Sequence, residues 1–221
     1  AQLMSLMDHT PGQRQFRDMD KMRTYYRRHG LSSDADFAKF VDDRMALHER
    51  YAHRHRRALV DLAKTHGASL ASHDDATVEQ VEEAVADGVA IAEFPTTLEA
   101  ACASKAAGVK VLMGAPNLVR GGSHSGNVAA QDLAEAGALE IFSSDYVPGS
   151  LLLAAFDLPR RVPSISLPQA VATVTRNPAQ ATGLHDRGEI AVGKRADLVQ
   201  VTTRGRAPAV RRAWRAGRRA H

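Results

Sequence analysis

Short apolar runs alternate with amphipathic segments along most of this chain, and each run ends in polar residues. Strand-like runs with their turns lie at residues 3–7, 68–75, 89–97, 109–117 and 139–149. The first run, LMSLM, is too short for a stable helix and has the length of a buried strand. Helical periodicity lies between these runs, at residues 34–67, 77–88, 98–108, 127–137, 148–159 and 166–179.

The order of these elements predicts an α/β fold. Strands that are apolar on both faces and alternate with helices through short connections are typical of a parallel sheet covered by helices. From about residue 183 the pattern changes to short strands and turns, which predicts a small antiparallel β segment. We therefore predict two parts, residues 1–180 and residues 181–221.

Polar residues of the kinds that bind metals follow four predicted strands: Asp8 and His9; His73, Asp74 and Asp75; Glu93; Asp145. In a parallel α/β sheet or barrel these strand ends lie on one face, which is the face that carries chemistry. Two histidines and an aspartate that converge there form a ligand set for a divalent metal, which lowers the pKa of a bound water to about 7. Taken singly, such a histidine is commonly a hydrogen-bonded polar group and such an aspartate a helix cap. Their repetition at one topological position favours the metal site.

Another histidine pair has the spacing of a metal site without its geometry. His53 and His55 are two residues apart within the predicted helix at 34–67. On a strand such residues share a face, but on a helix they point about 200° apart. We therefore interpret them as helix surface. Four further histidines have no supporting context: His29, His48, His66 and His185.

The segment GAPNLVRGGSHSGN, residues 114–127, is a predicted loop rich in glycine, serine and asparagine. Its glycines allow backbone N–H groups to approach an anion, and Arg120 is able to bind phosphate with two nitrogens. Further polar side chains of the loop are candidate substrate ligands: Asn117, Ser123, His124 and Ser125. The segment lacks the ending of a Walker loop, and an ordinary long surface loop is the alternative interpretation.

Composition narrows the class of protein. The 221 residues are 44% hydrophobic, and no uninterrupted apolar run reaches the length of about 18 residues that a membrane span needs. The single cysteine, Cys102, excludes an internal disulfide, fits a reducing cytoplasmic compartment and is interpreted as a core residue. The formal net charge of +4 has a local origin, because seven arginines and no acid lie in residues 204–221. We interpret this stretch as a solvated, poorly ordered tail without a nucleic-acid role.

Several motifs together resemble one known family. LMDHTPGQRQF, SHDD, EFPTTLEAA, MGAPNLVRGGSHSGN and SSDYVPGSLL are similar to segments of the alpha-D-ribose 1-methylphosphonate 5-triphosphate diphosphatases. These enzymes belong to the amidohydrolase superfamily and act in the carbon–phosphorus lyase pathway of phosphonate degradation. NPAQATGLHDRGEIAVGKRADLVQV resembles the C-terminal β segment that amidohydrolases share. The resemblance covers nearly the whole chain.

This resemblance implies a partial, TIM-like (β/α) barrel with one or two divalent metal ions, zinc above all, on its C-terminal face. His9 and His73 resemble the metal ligands of the fifth and sixth strands. Asp145 resembles the aspartate of the eighth strand, a ligand that also accepts the proton of the attacking water. The implied reaction is hydrolysis of the 5-triphosphate with release of pyrophosphate. Glu93, Arg14 and the loop at 114–127 are then candidates for contact with this phosphorylated substrate, with a surface role as the alternative for Arg14.

Two elements of the superfamily pattern have no counterpart in the chain. These are the histidine pair of the first strand and the metal-bridging Lys or Glu of the fourth strand, both of which would precede Ala1. We therefore expect a fragment with an incomplete metal site and open sheet edges, which promote self-association or pairing with a missing N-terminal half. Two alternatives stay open: a cyclic-amide hydrolase of the dihydroorotase type, and a non-catalytic half-barrel that binds a partner.

Overall fold

The structure, a computed structural model, describes residues 2–31, 33–123, 126–204 and 207–220. By its internal contacts the chain divides into two compact units. The first unit is Ala1–Val109 with Ser125–Asn127, and the second is Lys110–His124 with Val128–His221. No helix among the described residues is long and apolar enough to cross a membrane.

Three parallel strands form the sheet of the first unit. They are β1 (Leu3–Leu6), β2 (Ser69–His73) and β3 (Ile91–Glu93), in the order β1-β2-β3. Leu6 pairs with Ser72 and His73 pairs with Glu93, so the C-terminal ends of the strands lie side by side. Among the described strands β1 pairs with β2 alone. Self-association through its other edge stays a prediction.

Four helices accompany these strands. They are α1 (Met19–Arg28), α2 (Asp34–His66), α3 (Val78–Asp87) and α4 (Leu98–Ala106), with one 3-10 turn at Arg14–Phe16. The helix predicted at 34–67 is confirmed: the Ser33 hydroxyl accepts a hydrogen bond from the Asp36 N–H, and Gly67 ends the helix with a φ of 61°. Helix α1 was not predicted, although Asp18 caps it by accepting from the N–H groups of Asp20 and Lys21.

The hydrophobic core of the first unit holds the C-terminal ends of β1 and β2 in position. Leu6, Leu70 and Ala92 of the sheet pack with Val60 of α2 and Ala84 of α3. A second cluster of Phe16, Met22 and Phe37 holds the segment after β1 against α1 and α2. Both clusters exclude water, and they restrict the loop that carries His9.

Cys102 is exposed, so its interpretation as a core residue is wrong. The buried residues of α4 are Ala100, Ala101 and Ser104. Since each residue of a helix advances by about 100°, Cys102 points away from the centre of that buried face.

The second unit repeats the alternation of strand and helix. Strands β4 (Lys110–Gly114) and β5 (Ile141–Ser143) are parallel, with Leu112 opposite Ile141. The helices are α5 (Ala115–Arg120), α6 (Ala130–Glu135), α7 (Ser150–Arg161), α8 (Leu167–Ala172) and α9 (Arg176–Ala181). The parallel α/β class is confirmed in both units. The helix predicted at 166–179 is instead two short helices.

The predicted loop at 114–127 is wrong in its first half, because α5 begins directly after β4. Pro116 lies in the first turn of α5, where its missing N–H costs nothing, and Gly121 ends the helix with a φ of 89°. The glycines that suggested a loop therefore include one that ends a helix.

The C-terminal part forms a small antiparallel sheet, as predicted. Its strands are β6 (Leu198–Thr202), β7 (Ala209–Arg215) and β8 (Arg218–Arg219). The prediction of a poorly ordered basic tail is wrong for its described residues, because Ala216 and Gly217, with φ of 49° and 76°, turn β7 back onto β8. The division near residue 180 stays a prediction, since one compact unit spans that point.

Candidate metal centre

Two histidines meet at the C-terminal edge of the first unit's sheet. His73 is the last residue of β2, and His9 follows the end of β1 by three residues. Because β1 and β2 run in parallel and in register, both side chains lie at the same edge. The centroids of the two imidazole rings are 5.4 Å apart. The two histidines therefore lie close together, and their role as metal ligands stays a prediction.

The carboxylate beside them is that of Asp74. Its Oδ2 atom lies 3.3 Å from His9 Nε2 and 3.4 Å from His73 Nε2. One ligand atom from each of the three residues lies within 4.8 Å of the others. Asp74 was recognised as a strand-end residue but was not among the predicted ligands, although its place directly after His73 was a visible signal.

The three residues fit a divalent cation. Asp74 Oδ2 is buried and has no hydrogen-bond partner among the described residues. A buried acceptor without a partner is uncommon and calls for an unseen water or ion. Imidazole nitrogens and a carboxylate oxygen are the donor set that zinc and related divalent metals take.

The backbone after β2 is held in an uncommon conformation that positions this carboxylate. Asp74 has a φ of 57°, in the left-handed region that side chains rarely adopt. Its N–H donates to the carbonyl of Glu93 at 2.9 Å, which ties the turn to the end of β3. Such conformations cost about 1–3 kcal/mol and cluster at functional sites.

Glu93 and Ser5 orient the ring of His73. Glu93 Oε2 lies 2.9 Å from His73 Nδ1, and the Ser5 hydroxyl donates to the same carboxylate oxygen at 2.6 Å. When Nδ1 donates its proton to Glu93, the lone pair of Nε2 points to the other side of the ring, toward Asp74. A carboxylate that orients a histidine in this way is the usual outer partner of a metal ligand. Glu93 therefore contacts His73, and its predicted contact with substrate stays a prediction.

The comparison with protein families decides the affiliation. The family model described as "Amidohydrolase family" matches residues 34–219. The chain belongs to the amidohydrolase family. Membership of this family, together with the cluster of His9, His73 and Asp74, supports a metal cofactor.

Similar proteins agree with this affiliation. The chain is 51% identical over 221 residues to the alpha-D-ribose 1-methylphosphonate 5-triphosphate diphosphatase of Escherichia coli strain K12. The match covers 98% of the chain and 58% of that relative, so the chain spans little more than half of its length.

Two solved structures resemble the fold. One is an uncharacterized protein, with a TM-score of 0.55, 22% identity and coverage of 74% of this chain and 48% of that one. The other is an amidohydrolase, with a TM-score of 0.51, 20% identity and coverage of 74% and 47%. At these identities the likeness supports the amidohydrolase fold alone.

In this amidohydrolase Arg14 is buried next to the turn after β2, which carries Asp74. It is 5% exposed, so the alternative of a surface role is wrong. Its Nη1 donates to the carbonyl of His73 at 2.9 Å and to the carboxylate of Asp75. Asp75 in turn accepts from the Ser72 hydroxyl. These contacts indicate a positioning role, and contact with substrate stays a prediction.

The remaining predicted residues of the amidohydrolase chain follow β4 in the sequence. The side chain of Asn117 accepts from the Ala130 N–H at 2.9 Å, which ties α5 to the start of α6. Arg120 donates to the Gly122 carbonyl at 2.9 Å and to the Tyr146 hydroxyl at 3.0 Å. Ser123 is half-buried, while His124 and Ser125 lie outside the described residues.

Asp145 follows β5, as predicted. It is exposed and has a φ of 48°, the same left-handed conformation as Asp74 after β2. Asp145 belongs to the second unit. Its roles as metal ligand and proton acceptor stay predictions.

A pocket of about 840 Å³ opens beside His9 within the first unit. The loop after β1 forms one wall, and α2 forms another, with His53 and His55 among its lining residues. The interpretation of His53 and His55 as helix surface is confirmed, since both are exposed on α2.

His48 of α2 had no supporting context in the sequence, yet its Nδ1 lies 2.8 Å from Asp8 Oδ2. No local pattern connects two residues so distant in sequence.

The charges around His73 shift its pKa and that of Glu93 in opposite directions. Burial by itself lowers the pKa of His73, but the hydrogen bond to Glu93 and the charge of Asp74 outweigh it, so the pKa lies above its ordinary value of 6.5. Burial raises the pKa of Glu93, but hydrogen bonds from His73 and Ser5 outweigh it, so the pKa lies below 4.5. Both shifts favour the pair of a His73 imidazolium and a Glu93 carboxylate in the metal-free protein.

We expect Glu93→Gln to destabilise the metal-free protein more at about pH 5.5 than at about pH 9. The contribution of His73 is complete below its unfolded pKa and is lost as the pH rises through its raised folded pKa. The contribution of Glu93 is complete above its unfolded pKa and is lost as the pH falls through its lowered folded pKa. Urea unfolding in the presence of a chelator measures the difference, with Glu49→Gln on the exposed surface of α2 as the control. An equal loss of stability at both pH values would show that the pair is not ionic.

Proposed function

We propose that this chain carries metal ligands and substrate contacts of a diphosphatase. The reaction is hydrolysis of the 5-triphosphate of alpha-D-ribose 1-methylphosphonate 5-triphosphate, with release of pyrophosphate. The E. coli relative bears the name of this activity and is 51% identical over 98% of the chain. The observation that carries the proposal is the buried acceptor of Asp74 between two imidazoles, because it marks a cation site of the kind such a hydrolysis uses.

In this proposal His9, His73 and Asp74 hold a divalent cation, and zinc suits their nitrogen and oxygen donors. Such an ion would supply Lewis acidity and lower the pKa of a water at the site. Glu93 and Ser5 hold the His73 ring with its Nε2 toward the ion. Arg14, through the His73 carbonyl and Asp75, keeps the turn after β2 in place.

The remaining proposed roles fall on residues that follow β4 in the sequence. Asp145 accepts the proton of the attacking water. Residues of α5 and of the segment after it contact the phosphates: Asn117, Arg120, Ser123, His124 and Ser125. A cytoplasmic location and a homo-oligomeric state belong to the same proposal, and neither nucleic acid nor a membrane has a part in it.

A chimera tests this function. The chain replaces the matching segment of the E. coli relative, and the purified chimera is incubated with zinc and the triphosphate substrate. We expect release of pyrophosphate, and we expect His73→Ala in the chimera to reduce the rate by at least about 100-fold. His66→Ala, an exposed histidine of α2 that does not line the pocket beside His9, is the matched control and retains the rate.

The same chimera separates the proposed reaction from ring opening. Dihydroorotate is offered in place of the triphosphate under identical conditions, and opening of its ring is followed by absorbance. A folded, metal-loaded chimera that opens this ring and releases no pyrophosphate would contradict the proposal.

A further inference from the structure

Phe94, the residue after β3, has a backbone conformation that its side chain disfavours. Its φ is 55°, in the left-handed region, where a bulky residue is uncommon. The following residue is Pro95, and a proline favours an extended backbone at the residue before it. Glycine adopts a positive φ without this steric cost. The phenyl side chain is therefore present here against the preference of the backbone.

Hydrogen bonds on both sides of this residue determine its conformation. The Glu93 carbonyl accepts from the Asp74 N–H at 2.9 Å. The Thr96 N–H donates to the Asp75 carbonyl at 2.8 Å, and Pro95, between the two bonds, is buried. Costly backbone conformations persist where the surrounding structure fixes them in this way, and they cluster at functional sites. The connection after β3 is thus tied to the turn after β2.

The ring of Phe94 packs against the imidazole of His73. The two ring centroids are 5.4 Å apart and the ring planes are inclined by 87°, which is the edge-to-face arrangement that aromatic pairs prefer. Of the aromatic rings that the structure describes, the imidazole of His73 is the one that pairs with Phe94. The side chain that the backbone disfavours therefore contacts a candidate metal ligand.

This contact differs in kind from the polar contacts of the same imidazole. Glu93 lies 2.9 Å from Nδ1 of His73, and Asp74 lies 3.4 Å from its Nε2. Polar groups at the two nitrogens determine where the protons lie. An apolar group against the ring limits its movement, and the apolar surroundings of a metal site control the access of water to it. Phe94, which is half-buried, supplies such an apolar group.

We propose that Phe94 is a positioning residue of the metal centre, which holds the imidazole of His73 in place for the cation through their edge-to-face contact. It acts through His73, because a phenyl ring has no ligand atom of its own. The inference rests on the metal centre of the proposed function and holds whichever substrate that centre takes. Removal of the ring therefore weakens metal binding, independently of its effect on the stability of the chain.

Two variants separate the ring from the backbone. Phe94→Gly removes the ring and relieves the positive φ, whereas Phe94→Ala removes the ring and keeps the strain. We expect both to lower the zinc affinity of the chain by at least about tenfold. We expect Phe94→Gly to be the more stable of the two. Calorimetric titration after treatment with a chelator measures the affinity, and urea unfolding measures the stability.

Phe94→Tyr keeps the ring and is expected to keep the zinc affinity. Leu98→Ala is the matched control, because it removes an exposed apolar side chain of the neighbouring helix α4. The ring protons of His73 provide a second readout in the metal-free chain. We expect their NMR signals to move in Phe94→Gly and Phe94→Ala and to stay in Leu98→Ala, because the ring current of a phenyl group acts at short range.

Unchanged zinc affinity in Phe94→Gly would overturn the positioning role. A loss of affinity in Phe94→Ala that Phe94→Gly does not share would trace the effect to backbone strain and overturn it as well. Circular dichroism confirms that each variant is folded. An unsubstituted chain without zinc affinity would overturn the metal centre and this role with it, whereas the expected zinc affinities with no pyrophosphate release by the chimera would refute the proposed reaction alone.

Discussion

Asp74→Asn is expected to lower the affinity of this chain for a divalent cation by at least about 100-fold, and to lower the pKa of His73 in the metal-free protein. The carboxylate is the negatively charged member of the cluster with His9 and His73, and an amide oxygen replaces neither its charge nor its strength as a ligand. In the metal-free protein the charge of the same carboxylate, 3.4 Å from His73 Nε2, raises the pKa of that imidazole. An amide carries no charge, so its introduction lowers the pKa of His73.

Calorimetric titration with zinc measures the first effect, and an NMR titration of the His73 imidazole with a chelator present measures the second. Asp61→Asn, on the exposed surface of α2, is the matched control and changes neither quantity. Unchanged zinc affinity in Asp74→Asn would remove this residue from the metal centre. An unchanged pKa of His73 would show that the charge of Asp74 does not act on this imidazole.

Arg14→Met is expected to reduce the free energy of unfolding by about 3–5 kcal/mol. Arg14 and Asp75 are 5% and 1% exposed, and the guanidinium is the cation that contacts this carboxylate. Without it, Asp75 would remain as a buried negative charge, which is far more costly than the loss of one hydrogen bond. The His73 carbonyl would lose its donor at the same time.

A double variant distinguishes the buried charge from the loss of packing. Arg14→Met combined with Asp75→Asn removes both charges and keeps an oxygen for the Ser72 hydroxyl, so we expect it to recover at least half of the lost stability. Arg17→Met, an exposed arginine three residues later, changes stability by less than about 0.5 kcal/mol. A double variant as unstable as Arg14→Met would show that the pair is not the cause. Denaturant unfolding followed by circular dichroism provides all of these values.

Most elements of the fold follow from local pattern, and the C-terminal arginines are an exception. The apolar runs before His9 and His73 are strands, and Ser33 and Gly67 bound α2 as the sequence indicates, because capping and periodicity act over a few residues. The C-terminal arginines were interpreted as a poorly ordered tail because chain ends commonly lack fixed structure. A two-residue turn and pairing with β6 order them instead, and neither is visible in composition.

The candidate site was also predicted from local sequence pattern only in part. The sequence by itself determined that His9 and His73 follow two apolar strands, and parallel pairing then made their convergence a necessity. It did not determine the depth at which any polar side chain lies, because burial depends on residues that are far apart in the chain.

Only the tertiary structure decided which polar groups are left without partners. It showed that the buried acceptor between the histidines belongs to Asp74 and that Arg14 is buried. It also showed that α2 lines a pocket beside His9. Local sequence patterns extend over a few residues and therefore predict strands, helices and turns. The desolvation and pairing of charges depend on the whole arrangement of the packed chain, and these are the properties that make a metal centre.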